Sequence, residues 1–280
     1  MNSLGPFPIT AVVVALSLLA GWLLVRVWAR RLPESPHRIA GARFLDAALV
    51  GLLVARLGFV LRWWPEYAAA PMSIIAIGDG GFLWWVGLPA AVAFACWRTA
   101  GARPLRKPIL AGIAAGMLAW LTLTGTLALL QRSAPPLPDL KLIKLDGSPI
   151  RLDVYAAQPI VLNLWATWCP PCRREMPVLE DAQQRYPGVA FVLVNQGEGR
   201  EEIHAFLQQQ GLALDHILLD RHSQTMRDTG ARALPTTLFF DAGGRLVDSH
   251  MGELTRASLA STLRKRFGIA AEASSAGAGQ

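Results

Sequence analysis

The chain has 280 residues, of which 52% are hydrophobic and only 17% are charged, and its mean hydropathy is +0.34. This composition excludes an intrinsically disordered protein and is too apolar for an ordinary soluble enzyme. Residues 1–133 hold 12 basic and 4 acidic side chains, and residues 134–280 hold 15 and 16, so the net charges are +8 and −1. Because the basic excess lies beside long apolar runs, it indicates membrane topology and argues against nucleic acid as a partner.

Four apolar segments in the first half are candidate membrane helices, at about 8–28, 43–62, 82–97 and 109–130. A hydrocarbon core of about 30 Å requires roughly 20 helical residues, so the third segment is short and the other three qualify. Several tryptophans lie near segment ends, where indole rings favour the membrane interface. We predict a membrane α-helical domain of about four transmembrane helices over residues 1–130.

Charges in the loops predict the orientation of this domain. The loops after the first and third segments are basic, with Arg30, Arg31, Arg38 and Arg43 in one and Arg98, Arg103, Arg106 and Lys107 in the other. Basic loops stay in the cytoplasm, so the N-terminus and the second half are expected on the periplasmic side of a bacterial inner membrane. The first apolar run has its charges after it, the reverse of a secretory signal, which favours a retained helix and a multi-pass protein.

Part of the membrane half resembles a lipid-modifying enzyme family. The stretches 55–61 and 78–87 are similar to the N-terminal part of prolipoprotein diacylglyceryl transferase, but Trp85 occupies the position of that family's functional histidine. The resemblance implies a reused membrane scaffold in contact with the lipid bilayer. A lipid-handling protein with an accessory redox domain is the alternative function. Arg56 lies inside the second segment, where a charge is costly. One interpretation is that its side chain extends to the membrane interface. The other is a functional role, either in contact with a lipid head group or in an ion pair between helices.

The segment 131–139 contains three prolines and is the expected linker, because dense proline ends a helix and favours an extended spacer. After it, apolar runs alternate with amphipathic ones, which predicts an α/β domain over 140–268 and a disordered tail over 269–280. The predicted strands are 159–165, 189–195, 216–219, 236–240 and 244–250, and the predicted helices are 170–186, 201–210, 223–228 and 255–267.

A Cys-x-x-Cys sequence, Cys169 and Cys172, lies where the first predicted strand ends and a helix begins. One interpretation is half of a zinc site, but two more ligands are needed and the four histidines of this half show no pair spacing, so we predict no metal. The other interpretation is a redox dithiol. The helix N-terminus stabilises a thiolate at Cys169, and Cys172, about one turn along, can attack the mixed disulfide that Cys169 forms.

These residues also carry a family resemblance. The run 164–177, together with 233–237, is similar to the TlpA/ResA/CcmG group of extracytoplasmic thioredoxin-like proteins. The resemblance implies a thioredoxin-like fold and a cis-proline at Pro235 that faces the dithiol. It further implies that the backbone of Leu234 offers hydrogen bonds to the bound substrate segment. Trp168 is expected to pack beside the site, and Trp168, Leu234 and Pro235 are the candidate substrate-binding residues. The sequence does not name the substrate: the thiols of haem sites, as in cytochrome c biogenesis, and of copper sites are equally open.

Glu175 lies three residues after Cys172, on nearly the same helix face. The resemblance implies that an acid here tunes the cysteine pair and assists proton transfer, since a partly buried carboxylate near a thiol raises its pKa and can act as its base. The alternative is an ordinary acid in the first turn that complements the helix dipole. The segment 196–200, Gln-Gly-Glu-Gly-Arg, lacks the spacing and the following Lys-Ser/Thr of a phosphate loop.

The sequence therefore predicts a membrane-anchored thiol–disulfide oxidoreductase without a cofactor, acting on substrate protein thiols and disulfides, with reduction favoured by resemblance. The membrane half contains only Cys96, so a separate membrane thiol electron donor is expected as a partner. A domain that binds thiol proteins without turnover is a further alternative.

Overall fold

A computed structural model describes residues 3–4, 7–32, 37–130 and 136–270 of the chain. The expected linker falls partly outside these residues, at 131–135, as does most of the expected tail, at 271–280. The chain divides into two compact units. One comprises residues 7–74 and 80–132, and the other comprises residues 133–280 with the short segments 1–6 and 75–79.

Helices account for most of the first half. The two-residue strands are β1 (Ser3–Leu4) and β2 (Phe7–Pro8), and the helices are α1 (Ile9–Ala29), α2 (His37–Arg62), α3 (Trp64–Ala69), α4 (Trp84–Arg98) and α5 (Arg103–Leu130), with 3₁₀ turns at Pro71–Ile75 and Ile77–Asp79. Three of these helices are long and apolar enough to cross a membrane, over 11–29, 38–62 and 103–127. The predicted third segment forms α4, whose 15 residues rise only about 22 Å, so it is shorter than the hydrocarbon core.

Glycines allow two pairs of these helices to approach closely. Gly112 of α5 lies against the backbone of Gly21 in α1, and Gly87 of α4 lies against the backbone of Gly51 in α2. Lipid offers little hydrophobic driving force between helices, so small residues at a crossing favour association through close van der Waals contact.

Arg56 on α2 forms hydrogen bonds and ring contacts within the helical unit. Its guanidinium donates hydrogen bonds of 3.0 Å to the carbonyl oxygens of Ile74 and Gly81, and it lies over the rings of Tyr67 and Phe82. These contacts join α2 to the segment between α3 and α4.

The second half is a seven-stranded sheet flanked by helices. Its strands are β3 (Lys141–Lys144), β4 (Pro149–Arg151), β5 (Ile160–Trp165), β6 (Ala190–Gln196), β7 (Ile217–Asp220), β8 (Thr236–Phe240) and β9 (Leu246–Met251), and its helices are α6 (Pro170–Arg185), α7 (Arg200–Gln210), α8 (Gln224–Thr229) and α9 (Arg256–Phe267), with a 3₁₀ turn at Leu152–Tyr155. The strand order is β4-β3-β7-β6-β5-β8-β9. The central strands β5, β6 and β7 are parallel, β8 pairs antiparallel with β5, and β9 pairs antiparallel with β8. This is the expected thioredoxin-like α/β architecture.

The hairpin of β3 and β4 was not predicted from the sequence. Its strands have four and three residues, too few for an alternating pattern to stand out. The turn signal is nevertheless present, because Asp146 and Gly147 connect the strands and Gly147 has a φ of +91°.

The core lies on both faces of the sheet. Met176 and Leu179 on α6 pack with the side chains of β5 and β6 on one face, and Leu142, Leu152 and Leu162 pack on the other. Strand β5 is buried at every position, as expected for a central strand covered on both sides. The first turn of α6 is thereby fixed against the end of β5.

Candidate functional site

Cys169 and Cys172 form a disulfide at the start of α6, with their Cα atoms 5.3 Å apart. Strand β5 ends at Trp165, and a four-residue connection leads to Pro170, the first residue of the helix. A turn closes this connection through a 3.3 Å hydrogen bond from the Cys169 amide to the Ala166 carbonyl. The topology thus brings the dithiol to the carboxyl end of a parallel strand, where α/β sheets commonly place their sites.

Cys169 is the N-cap of α6. Its Sγ accepts a 3.3 Å hydrogen bond from the backbone N–H of Cys172, and its carbonyl accepts one from Arg173. Pro170 and Pro171 have no N–H, so the donors left for the sulfur come from the next residues of the turn. In the reduced protein the same donors and the helix dipole favour a thiolate at Cys169.

The two cysteines differ in access. The exposed fraction of Cys169 is 3%, whereas Cys172 is fully buried. Cys169 is therefore the more accessible of the two cysteines in the disulfide form. This asymmetry suits an attacking thiol followed by a resolving one.

Glu175 is completely buried on α6, one turn beyond Cys172. Its Oε1 accepts a 2.7 Å hydrogen bond from Asn163 Nδ2, and its Oε2 accepts a 2.9 Å bond from the backbone N–H of Leu254. Burial raises the pKa of this carboxyl to about 8, in spite of those two hydrogen bonds, and the charge of Glu253 acts in the same direction as burial. In the disulfide state, Glu175 is therefore mostly protonated at neutral pH.

Asn163 on β5 is a member of this site that the sequence analysis did not identify. Its Nδ2 also donates a 3.0 Å hydrogen bond to Thr237 Oγ1 on β8. Its Oδ1 is buried and accepts no hydrogen bond from the described residues. A rotation of the amide would present Oδ1 to a protonated Glu175, so this side chain can partner either protonation state of the carboxyl.

Trp168 is 68% exposed, immediately before Cys169, and forms part of the rim of the site. Leu234 is partly buried and packs against the same core cluster as the two cysteines, and Pro235 after it is buried. The Leu234–Pro235 peptide bond is cis. No hydrogen bond within the described chain occupies the backbone N–H or C=O of Leu234, so both groups are available to an extended peptide.

Charged residues surround the dithiol on the surface of α6. Arg174 donates to Glu253 Oε2 through Nε and Nη2, at 2.8 and 2.7 Å. Arg173 lies over the ring of Phe206 at 5.5 Å. Across the described ranges, no three His, Cys, Asp or Glu side chains are arranged to hold a metal ion.

Comparison with known proteins assigns both halves. Residues 134–249 match the AhpC/TSA family, and residues 1–127 match the family of prolipoprotein diacylglyceryl transferase. Each match covers less than half of the chain, and together they support the fusion expected from the two resemblances.

Individual relatives are thiol–disulfide oxidoreductases. The chain is 36% identical to the thiol-disulfide oxidoreductase ResA of Geobacillus thermodenitrificans over 121 residues, which are 42% of this chain and 69% of that protein. It is 35% identical to ResA of Geobacillus kaustophilus with the same coverage. A solved structure, the exposed lipoprotein thioredoxin of Streptococcus pneumoniae, is 25% identical, with a TM-score of 0.40 over 46% of this chain and 99% of that one. The chain belongs to the ResA family of thiol–disulfide oxidoreductases, here joined to an N-terminal half that is similar to prolipoprotein diacylglyceryl transferase.

Proposed function

We propose that the protein is an extracytoplasmic reductant of protein disulfides, with Cys169 as the attacking thiol and Cys172 as the resolving thiol. The observation that carries this proposal is the position of Cys169 at the N-cap of α6, with the enclosed Cys172 one turn behind it. Only a thiolate attacks a disulfide, and the N-terminus of a helix is where a thiolate is stabilised.

The reaction is an exchange of one disulfide for another. The Cys169 thiolate attacks one sulfur of a substrate disulfide, whose S–S bond breaks, and the departing substrate sulfur takes up a proton. Cys172, after losing its proton, then attacks Cys169 Sγ in the mixed disulfide, and the second substrate sulfur leaves as a thiolate that takes up a proton from water. The substrate gains two electrons and two protons, and the protein reaches the disulfide state described above.

Glu175 is the proposed proton acceptor for Cys172. In the second step the Cys172 thiol must lose its proton inside the domain, where water has little access. The deprotonated form of Glu175, in the next helical turn, can take that proton, and the pKa of about 8 in the disulfide state means that the carboxyl keeps the proton once the disulfide has formed. The alternative of a solvated acid that complements the helix dipole does not agree with a fully buried side chain.

Substrate binding is proposed for Trp168, Leu234 and Pro235. The exposed indole of Trp168 offers apolar surface beside Cys169, and the unoccupied backbone groups of Leu234 offer hydrogen bonds to an extended segment. Substrates are then proteins with an accessible disulfide in an extended stretch. The disulfides of haem-site proteins, as in cytochrome c biogenesis, and of copper-site proteins are the two substrate classes that we propose.

The electron donor is proposed to be a separate membrane protein with a thiol pair. A thiol relay through the bilayer needs two cysteines, and the membrane half has only Cys96. The basic loops at 30–43 and 98–107 favour a multi-pass topology with the N-terminus and the redox domain outside the cytoplasm. Domain limits of 1–130, 131–139 and 140–268 belong to the same proposal.

The trapping experiment tests turnover directly. In a Cys172→Ser variant the mixed disulfide on Cys169 cannot be resolved, so substrate proteins are expected to remain covalently attached and to be released by dithiothreitol. The matched control is Cys169→Ser, which should trap nothing. Equal yields from the two variants, or none from either, would instead favour a domain that binds thiol proteins without turnover.

The family match over residues 1–127 favours one second candidate, a lipid-handling role for the membrane half. Trp85, which stands where that family has a histidine, is 53% exposed on α4. If this candidate holds, Trp85→Ala should abolish a lipid-modification phenotype and leave disulfide reduction intact. If both phenotypes persist, the membrane half is an anchor or docking scaffold.

A further inference from the structure

Glu198 holds a position that the mechanism above does not use. It lies in the turn between β6 and α7, flanked by Gly197 and Gly199, and is half-buried. Gly197 has a φ of +86°, a conformation that favours glycine and turns the chain back toward the sheet. The carboxylate of Glu198 is thereby directed to the connection between β5 and α6.

The Glu198 carboxylate accepts three hydrogen bonds. Its Oε2 accepts from the backbone N–H of Thr167 at 2.7 Å and from Asn195 Nδ2 at 2.6 Å, and its Oε1 accepts from Thr167 Oγ1. The backbone N–H of Glu198 donates in return to Asn195 Oδ1 at 3.3 Å. Thr167 lies two residues before Cys169, so these bonds fix the segment that leads directly into the dithiol.

The other end of this arrangement is anchored in the sheet. Asn195 is fully buried on β6, and it pairs with Trp165, the last residue of β5. The carboxylate therefore connects the rigid end of two neighbouring strands to the backbone of the connection. A carboxylate suits the position because it has four acceptor sites and no donor, whereas an amide would turn an N–H₂ group toward a donor.

We propose that Glu198 is a positioning residue for the redox reaction: it holds the Thr167 backbone so that Cys169 Sγ stays at the N-terminus of α6. The inference rests on the proposed role of Cys169 as the attacking thiol. It assigns to Glu198 no contact with the substrate. Its effect passes through Thr167 and the two residues that follow.

A positioning role of Glu198 and a purely electrostatic role predict opposite changes in the pKa of the Cys169 thiol when Glu198 is replaced. If the connection loses its anchor, Sγ is held less firmly beside the N–H groups of the helix, so the thiolate is less stabilised and the thiol pKa rises. If Glu198 acted only as a nearby negative charge, its removal would lower the thiol pKa. The other charged groups of α6 near the dithiol, Arg173, Arg174 and Glu175, are the same in every variant below.

The experiment measures alkylation of Cys169 against pH in the reduced full-length protein in detergent micelles. Iodoacetamide is the probe. Mass spectrometry of the peptide that contains both Cys169 and Cys172 separates them from Cys96, and the fragment ions of that peptide assign the label to Cys169 or to Cys172. The variants are Glu198→Gln and Thr167→Val, the second of which removes the hydroxyl donor and keeps the backbone N–H. The control is Glu201→Gln, which removes the same charge from an exposed position on α7.

The expected result is an upward shift of the midpoint by about half a pH unit in Glu198→Gln, which lowers the thiolate fraction at neutral pH about threefold. Thr167→Val should shift the midpoint in the same direction by less, and the double variant should shift it by less than the sum. An unchanged or lowered midpoint in folded Glu198→Gln overturns the inference. If that variant does not fold, an unchanged midpoint in Thr167→Val overturns it.

Failure of the proposed function gives a different result. If Cys169 of the unmodified protein titrates like a free thiol, near pH 8.5, then Cys169 is not an activated thiol and both proposals fall. If it titrates well below that value and the variants match it, only the role of Glu198 falls.

Discussion

At Glu175, burial and hydrogen bonding act on the same proton in opposite directions, and burial dominates. The carboxyl has two donors, Asn163 and the Leu254 backbone, yet its pKa is raised to about 8. The folded protein therefore keeps this proton over a pH range in which the unfolded chain, with an ordinary pKa of about 4.5, has lost it. Because only the folded protein binds this proton, the free energy of unfolding decreases as the pH rises.

This balance predicts a stability that decreases with pH. Between about pH 4.5 and 8 the native state binds one more proton than the unfolded state, so the free energy of unfolding falls by up to about 5 kcal/mol and levels off above pH 8. Glu175→Gln mimics the protonated acid, so its stability relative to the unmodified protein should grow over the same window. Pulse proteolysis of the oxidised full chain in urea, repeated at several pH values, measures the difference.

A matched variant separates this effect from a general change of charge. Glu201→Gln removes an exposed carboxylate, so its stability relative to the unmodified protein should vary little with pH. A constant difference between Glu175→Gln and the unmodified protein from pH 5 to pH 8 would show that Glu175 titrates normally.

The burial of Glu175 illustrates what the sequence could and could not predict at this scale. The Cys-x-x-Cys spacing and the position of Glu175 on α6 follow from local pattern. The surroundings of the carboxyl do not, because its partners Asn163 and Leu254 lie 12 and 79 residues away. Contacts at such separations depend on the sheet order, and a single sequence carries no direct signal for them. Glu198 was missed for the same reason, since Thr167 is 31 residues away.

At the scale of elements, most helices and strands of the second half lie within one residue of their predicted bounds. These include the long helix α6, the buried strands β5 and β8, and the short elements β7 and α8. Each has an apolar run or an amphipathic pattern bounded by turn residues. The strands β3 and β4 were missed, and α4 is shorter than a full span, as the length of its predicted segment indicated. The packing of the membrane helices was outside what hydropathy can predict.

That packing gives a prediction for α5. A Cβ added at Gly112 would lie 2.9 Å from the Gly21 carbonyl oxygen and would also meet the side chain of Val25. Gly112→Ala should therefore separate α1 from α5 and lower the thermal unfolding midpoint in detergent by several degrees. Gly125→Ala is the control on the same helix, because a Cβ there meets nothing within 4 Å. Equal midpoints for the two variants would mean that α1 and α5 do not cross at Gly112.

At the scale of the whole molecule, the chain joins a redox domain to membrane helices that have a single cysteine. The proposed external donor makes a prediction for proteoliposomes that contain only this protein. A thioredoxin reducing system enclosed with the cytoplasmic loops should leave the Cys169–Cys172 disulfide oxidised, because no thiol pair can pass the electrons through the bilayer. Reduction under these conditions would show that the chain transfers electrons by itself.

The most direct test of the central claim, that this domain is a reductant, is the reduction potential of the Cys169–Cys172 pair in the full chain. The protein in detergent would be equilibrated against redox buffers, and the dithiol fraction read by mass spectrometry. The account predicts a potential near or below about −220 mV, toward that of thioredoxin. A potential near about −120 mV, like that of the oxidant DsbA, would contradict it and would make this protein a donor of disulfides.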